Sequence, residues 1–239
     1  MDTGTPPRSK VLRGHKYAVL LVMLIAALAI QSLGAEPGRL GLLADAVVSL
    51  LVVAIFLVVF ERPRERAVMA VVVVGTLGTA WAHHAATTRL YFELSLAQNS
   101  LMALFMSVAV WVILRELFRS RVVGAENVRG AICGYLIAGA AWSSANTLAY
   151  LLVPSSFNIN PQISALLNDW HGRTAVFAYY SYAQMLTIGY PDVAPVHAPA
   201  TTISLLSTLF GLFYTAVVVS QLVGMAQSRR PNAKHGDER

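Results

Sequence analysis

The feature of this sequence that leaves the fewest options is a series of long runs almost free of charge. Between Leu40 and Phe60 the only charged side chain is Asp45. The runs Ala67–Ala86, Gln98–Leu114, Gly130–Val153 and Ala200–Ala226 contain no Asp, Glu, Lys or Arg at all. About 20 apolar residues is the length at which a helix crosses the hydrocarbon of a bilayer. Tyr17–Leu33 adds a run of 17 residues, near the lower limit for a span. The expectation is an all-α membrane protein with six transmembrane helices. Composition agrees: 56% of the 239 residues are hydrophobic and 13% are charged. A soluble domain averages about 25% charged residues.

The first run follows a basic region, a pattern shared with signal peptides. Leu33-Gly34-Ala35 is a poor cleavage site because Leu33 is bulky, so a retained helix is expected. The net charge of +6 is better explained by membrane orientation than by nucleic acid. With both termini inside, 15 of the 18 basic residues are cytoplasmic, the exceptions being Arg39, Arg89 and Arg173. This bias is the positive-inside rule. It predicts a multi-pass protein of the cell membrane with cytoplasmic N- and C-termini. The chain then divides into an N-terminal arm (1–16), a four-helix membrane domain (17–114), a cytoplasmic linker (115–129), a pore domain (130–226) and a tail (227–239). Arg115 to Arg129 is expected to be an amphipathic connector, and Thr87–Ala97 an outer loop.

Several features in the spans invite a functional reading and are weighed against a structural one. Asp45, about a turn inside its span, is either a partner for another helix or a group near a pore mouth. His83 and His84 are adjacent, so on a helix they point in different directions and lack the i, i+4 spacing of a metal pair. Interfacial histidines are the expectation. The fourth span holds no arginine, so the charge movement that drives voltage gating has no carrier there. Pro63 is expected to help stop the second helix. The small residues Gly130, Gly134, Ala138, Gly139, Ala140 and Ala141 suit close helix packing in lipid. Ser143, Ser144, Asn146 and Thr147 are expected to hydrogen-bond to neighbours. The single cysteine, Cys133, excludes an intrachain disulfide and a multi-cysteine metal site.

The fifth and sixth spans are separated by a polar and aromatic interruption. Asp169 is a good N-cap, so Trp170–Leu186 is expected to be a short helix reaching partway into the membrane. Thr187-Ile188-Gly189-Tyr190-Pro191-Asp192 follows. Gly189 tolerates backbone angles that other residues refuse, which lets successive carbonyls aim toward one axis. A permeating cation exchanges its water for such carbonyl oxygens, supplied in rings by several chains. Irregular backbone at membrane depth is tolerable where it lines water or is buried in protein.

These six residues resemble the selectivity filter of the potassium-channel superfamily, which reads TVGYG and is usually followed by Asp. Trp170–Gly224 is similar to the pore helix, filter and inner helix of small bacterial channels of that superfamily. The resemblance implies a homotetramer in the lipid bilayer. Carbonyls of Thr187, Ile188, Gly189 and Tyr190 would bind monovalent cations, with Pro191 and Asp192 at the outer mouth and Gly211 as a gating hinge. Trp170, Tyr179, Tyr180 and Tyr182 would form an aromatic cuff behind the filter. It implies a permeant K+, or Na+, and no cofactor. The chain departs from the family at Pro191, where the second glycine is expected, at Ala183, where a carboxylate is common, and at Leu186, where a second threonine is common. Proline fixes φ and lacks an N–H, so the chain must leave the outer ring by another route.

The function expected is therefore a potassium-conducting cation channel. The alternatives are a non-selective cation channel of the same architecture, and a non-conducting membrane scaffold or transporter. An enzyme is not expected: no Gly-x-Ser-x-Gly, His-Glu-x-x-His or pair of intramembrane carboxylates is present.

Overall fold

The computed structural model describes residues 16–33, 40–119 and 125–227. Most of the N-terminal arm, the turn at 34–39, the middle of the linker and the tail beyond 227 lie outside the described residues. The helices are α1 (Lys16–Leu33), α2 (Leu40–Val59), α3 (Pro63–Ala82), α4 (Thr88–Arg119), α5 (Ala125–Leu152), α6 (Pro161–Ser164), α7 (Trp170–Met185) and α8 (Ala198–Gln227). Two short strands, β1 (Phe157–Ile159) and β2 (Val193–Pro195), form an antiparallel pair in which Asn158 faces Ala194.

Among the described residues, four helical segments are long and apolar enough to cross a membrane: Gly41–Val59, Pro63–Ala85, Leu90–Arg119 and Ala198–Val218. The chain is thus mostly helical and compatible with an all-α membrane protein. Much of its apolar surface is uncovered: Val71 is 74% exposed and Trp111 67%. Side chains so placed would be a liability in water and cost nothing against lipid tails. Lys16–Ser32 is apolar but shorter. α5 has the length, and its serines, Asn146 and Thr147 keep it outside the most apolar group.

The helix bounds depart from the sequence expectation in three places, each with a local cause. Pro63 opens α3 at its first position instead of closing α2. There its missing N–H is one that would be unpaired anyway. α4 begins at Thr88, so most of the predicted outer loop Thr87–Ala97 is helix. It runs on to Arg119, into the predicted linker, because no Gly or Pro interrupts residues 87–119. α5 likewise starts at Ala125 instead of Gly130. Charged contacts fix the register of these ends: Arg115 Nη2 lies 3.1 Å from Glu65 Oε1, and Tyr17 donates to Glu116 at 2.9 Å.

α5 is the central helix, touching α1, α4, α7 and α8. Its small residues are what let α7 and α8 close on it. A Cβ on Gly139 would sit 1.9 Å from Tyr182 Cε1, and one on Gly134 2.5 Å from the Tyr214 hydroxyl. Both phenols then reach backbone carbonyls of α5: Tyr182 donates to Leu136 at 2.6 Å and Tyr214 to Ala131 at 2.7 Å. Asn146 Nδ2 donates to Ser181 at 3.1 Å, a polar cross-link between α5 and α7. Phe60, Phe105, Ile55 and Ile137 are fully buried at the other side, where α2, α4 and α5 meet.

Candidate functional site

α7 is held at both ends. At its start the Asp169 carboxylate accepts from the backbone N–H of His171 at 2.9 Å and of Gly172 at 3.3 Å. This is the capping geometry that the sequence predicts. Leu186 ends the helix still in right-handed geometry. Thr187 then adopts φ +58° and Gly189 φ +76°. The glycine meets no penalty in this region, whereas threonine is an outlier whose strain must be held by its surroundings.

The holding bonds are all in the backbone. Thr187 N donates to Gln184 O at 2.9 Å, Ile188 N to Ala183 O at 2.9 Å, and Gly189 N to Ala183 O at 3.3 Å. Three consecutive N–H groups therefore point back at the C-terminal carbonyls of α7. The described peptide bonds are trans, so each carbonyl opposes the N–H of the next residue. The carbonyls of Leu186, Thr187 and Ile188 consequently face away from the helix. Successive amides gathered on one side make a nest, which leaves the opposed carbonyl oxygens on the other side. Ala183 serves the loop through its main-chain oxygen. No sequence signal marks that role, since every residue carries a carbonyl. Residues 186–189 are exposed, with Ile188 72% accessible. The Thr187 hydroxyl donates to Leu186 O at 2.7 Å.

Tyr190 and Pro191 take the chain out by a tight turn. Val193 N lies 3.4 Å from Tyr190 O, with Pro191 at the second position that proline favours in such turns. The Tyr190 carbonyl is therefore drawn into the turn, unlike those of Thr187 and Ile188. Its ring packs edge-on against Tyr179, with centroids 4.5 Å apart. Burial raises the Tyr190 pKa, and the Asp192 carboxylate adds to the effect. Asp192 is tied to the segment before α6. Asn160 Nδ2 donates to its carboxylate at 2.6 Å, and Asn160 N donates to its carbonyl at 2.8 Å. The β1–β2 pair continues this tie.

The aromatic cuff expected behind the loop is divided. Tyr179 packs against the loop ring of Tyr190. Tyr180 is buried and bonds Ser204 on α8 at 2.6 Å, Tyr182 turns to α5, and Trp170 stacks on His83. Gly211 has a specific neighbour: a Cβ there would lie 2.2 Å from Met185 O. The close approach is to the end of α7. Thr208, one turn earlier, donates to Gln184 Oε1 at 3.2 Å. α8 thereby supports the helix end that carries the loop.

Asp45 resolves as a partner for other elements, away from the loop. His84 Nε2 lies 3.0 Å and His171 Nε2 3.1 Å from its Oδ2. The hydrogen bond to Asp45 raises the pKa of His171 above the ordinary histidine value, against the opposing effect of burial. Arg173 is buried beside it, with Nη2 3.3 Å from Ser95 Oγ on α4. A scan against protein-family models finds no match to this chain, and a search of curated proteins finds none either.

Proposed function

We propose that four copies of this chain surround an axis and form a potassium-conducting cation channel. In this reading α1–α5 and α8 cross the membrane. α7 enters from the outside and returns through residues 187–192. What supports the reading is a loop with left-handed Thr187 and Gly189, secured from behind by three amide bonds to Gln184 and Ala183, which leaves the carbonyls of Thr187 and Ile188 on the far side. Thr187 and Ile188 oxygens on four chains would replace the water of a dehydrated cation. The C-terminal end of α7 would add a partial negative charge facing the same ion. The exposed apolar side chains Leu186 and Ile188 of the loop, with Tyr179 beside it, would be covered by the neighbouring chain.

The turn at Pro191 favours a second reading, a non-selective channel of the same architecture. If the Tyr190 carbonyl belongs to the turn, the outermost ring is incomplete and discrimination between potassium and sodium weakens. Purified protein in liposomes under potassium or sodium gradients, with and without barium, tests both. Barium-sensitive potassium flux supports the first reading, and equal fluxes of the two ions support the second. No cation flux at any voltage, pH or membrane tension would leave a membrane scaffold or transporter.

A further inference from the structure

Three elements meet at the start of α7: α2 through Asp45, the turn after α3 through His83 and His84, and the first turn of α7 through Trp170 and His171. Adjacent residues of an α-helix diverge, which is why the two histidines read as unrelated in the sequence. They lie instead in a 3-10 turn, His83–Ala85, and their ring centroids are 4.2 Å apart. One ligand atom each from Asp45, His83 and His84 fall within 4.8 Å of one another. His83 is 8% exposed, and its Nδ1 is buried without a hydrogen bond of good geometry, with the Ala80 main chain close by. Its ring is fixed by stacking on Trp170, with centroids 4.9 Å apart. Leaving a buried ring nitrogen without a partner is costly.

We propose that Asp45, His83 and His84 bind a divalent transition-metal ion of the zinc type, with His171 as a positioning residue. Zinc bonds of about 2.0 Å in tetrahedral geometry separate neighbouring ligand atoms by about 3.3 Å. The 3.0 Å between His84 Nε2 and Asp45 Oδ2 is already close to that value. Two imidazoles and one carboxylate suit zinc and its neighbours, whereas calcium and magnesium take all-oxygen sets. The fourth position is left for water. His171, hydrogen-bonded to Asp45, holds the carboxylate in orientation, the usual task of a group behind a metal ligand. A cavity of about 70 Å³ lined by Asp45, Thr76, Gln98, Trp170 and His171 adjoins the cluster, and His84 gives it contact with solvent. Metal binding would brace α2 and α3 against the first turn of α7.

Cobalt(II) titration of the full purified chain in detergent tests this directly. The expected result is a stoichiometric rise of the visible bands of tetrahedral cobalt, abolished by added zinc. His83→Gln and His84→Gln should each remove the bands, while His197→Gln, at an exposed position, should leave them. His84→Gln alters a partly exposed ring, so its loss of signal is not explained by misfolding. His171→Gln should keep the band shape and weaken affinity 10- to 100-fold. No visible bands with the unaltered chain, or bands that survive both His83→Gln and His84→Gln, would overturn the proposal. The readout needs no ion flux, so its outcome is independent of whether the protein conducts.

Discussion

Pro191 shows how much can turn on one residue. It stands where a flexible glycine would let the chain fold outward, and it leads instead into a turn that draws on the Tyr190 carbonyl. Pro191→Gly frees φ at that point and restores an N–H. If the loop lines an ion path, this substitution should raise the ratio of potassium to sodium permeability, read from reversal potentials in mixed salts. An unaltered ratio would separate Pro191 from selectivity. Asp192 acts at the other end of the turn by its bonds to Asn160. Asn160→Ala should leave Asp192 without its 2.6 Å partner and loosen the mouth, seen as faster amide exchange at Val193. Gly139 illustrates a purely steric demand. Its Cβ position is occupied by the Tyr182 ring, so Gly139→Val should destabilise the fold by about 1–3 kcal/mol, the cost of overpacking. Thermal melting in detergent measures it, and a second substitution, Tyr182→Ala, should recover part of the loss.

At the scale of elements, α7 decides the geometry of the loop. Its N-terminus is fixed by Asp169 and its C-terminal carbonyls take the N–H groups of 187–189. Asp169→Ala removes the cap and should cost about 1 kcal/mol. The loss should show as faster amide exchange in the first turn of α7, at His171 and Gly172, before any change at the loop. Equal acceleration at both ends would mean that α7 moves as one body. α8 supports α7 from behind through the Met185–Gly211 approach and the Thr208–Gln184 bond. A bend of α8 at Gly211 would therefore move the very helix end that holds the Thr187 backbone.

At the scale of the whole molecule, the channel reading makes the exposed loop one of four. One chain presents a single wall of carbonyls, so the channel reading requires fourfold symmetry about the loop. Native mass of the detergent complex, or particle images, should show a tetramer with residues 187–190 at the axis. A monomer in bilayers would end that reading while leaving the metal proposal intact.

Much of this was legible in the residues alone. Charge-free runs specified helices, four of them among the described residues long and apolar enough to cross a membrane, because lipid admits few alternatives for the backbone. Asp169 marked the start of α7 because capping is a local interaction, and Gly189 marked a left-handed position for the same reason. Tertiary structure alone decided the rest. The side to which the 187–189 amides turn depends on the end of α7. Gly211 owes its need for space to Met185. The two adjacent histidines converge because a tight turn replaces the last turn of α3, and Asp45 reaches them from another helix. Local sequence encodes what neighbours along the chain do to one another. Contacts between residues 39 or 126 positions apart, as His84 and His171 make with Asp45, arise only when the helices pack.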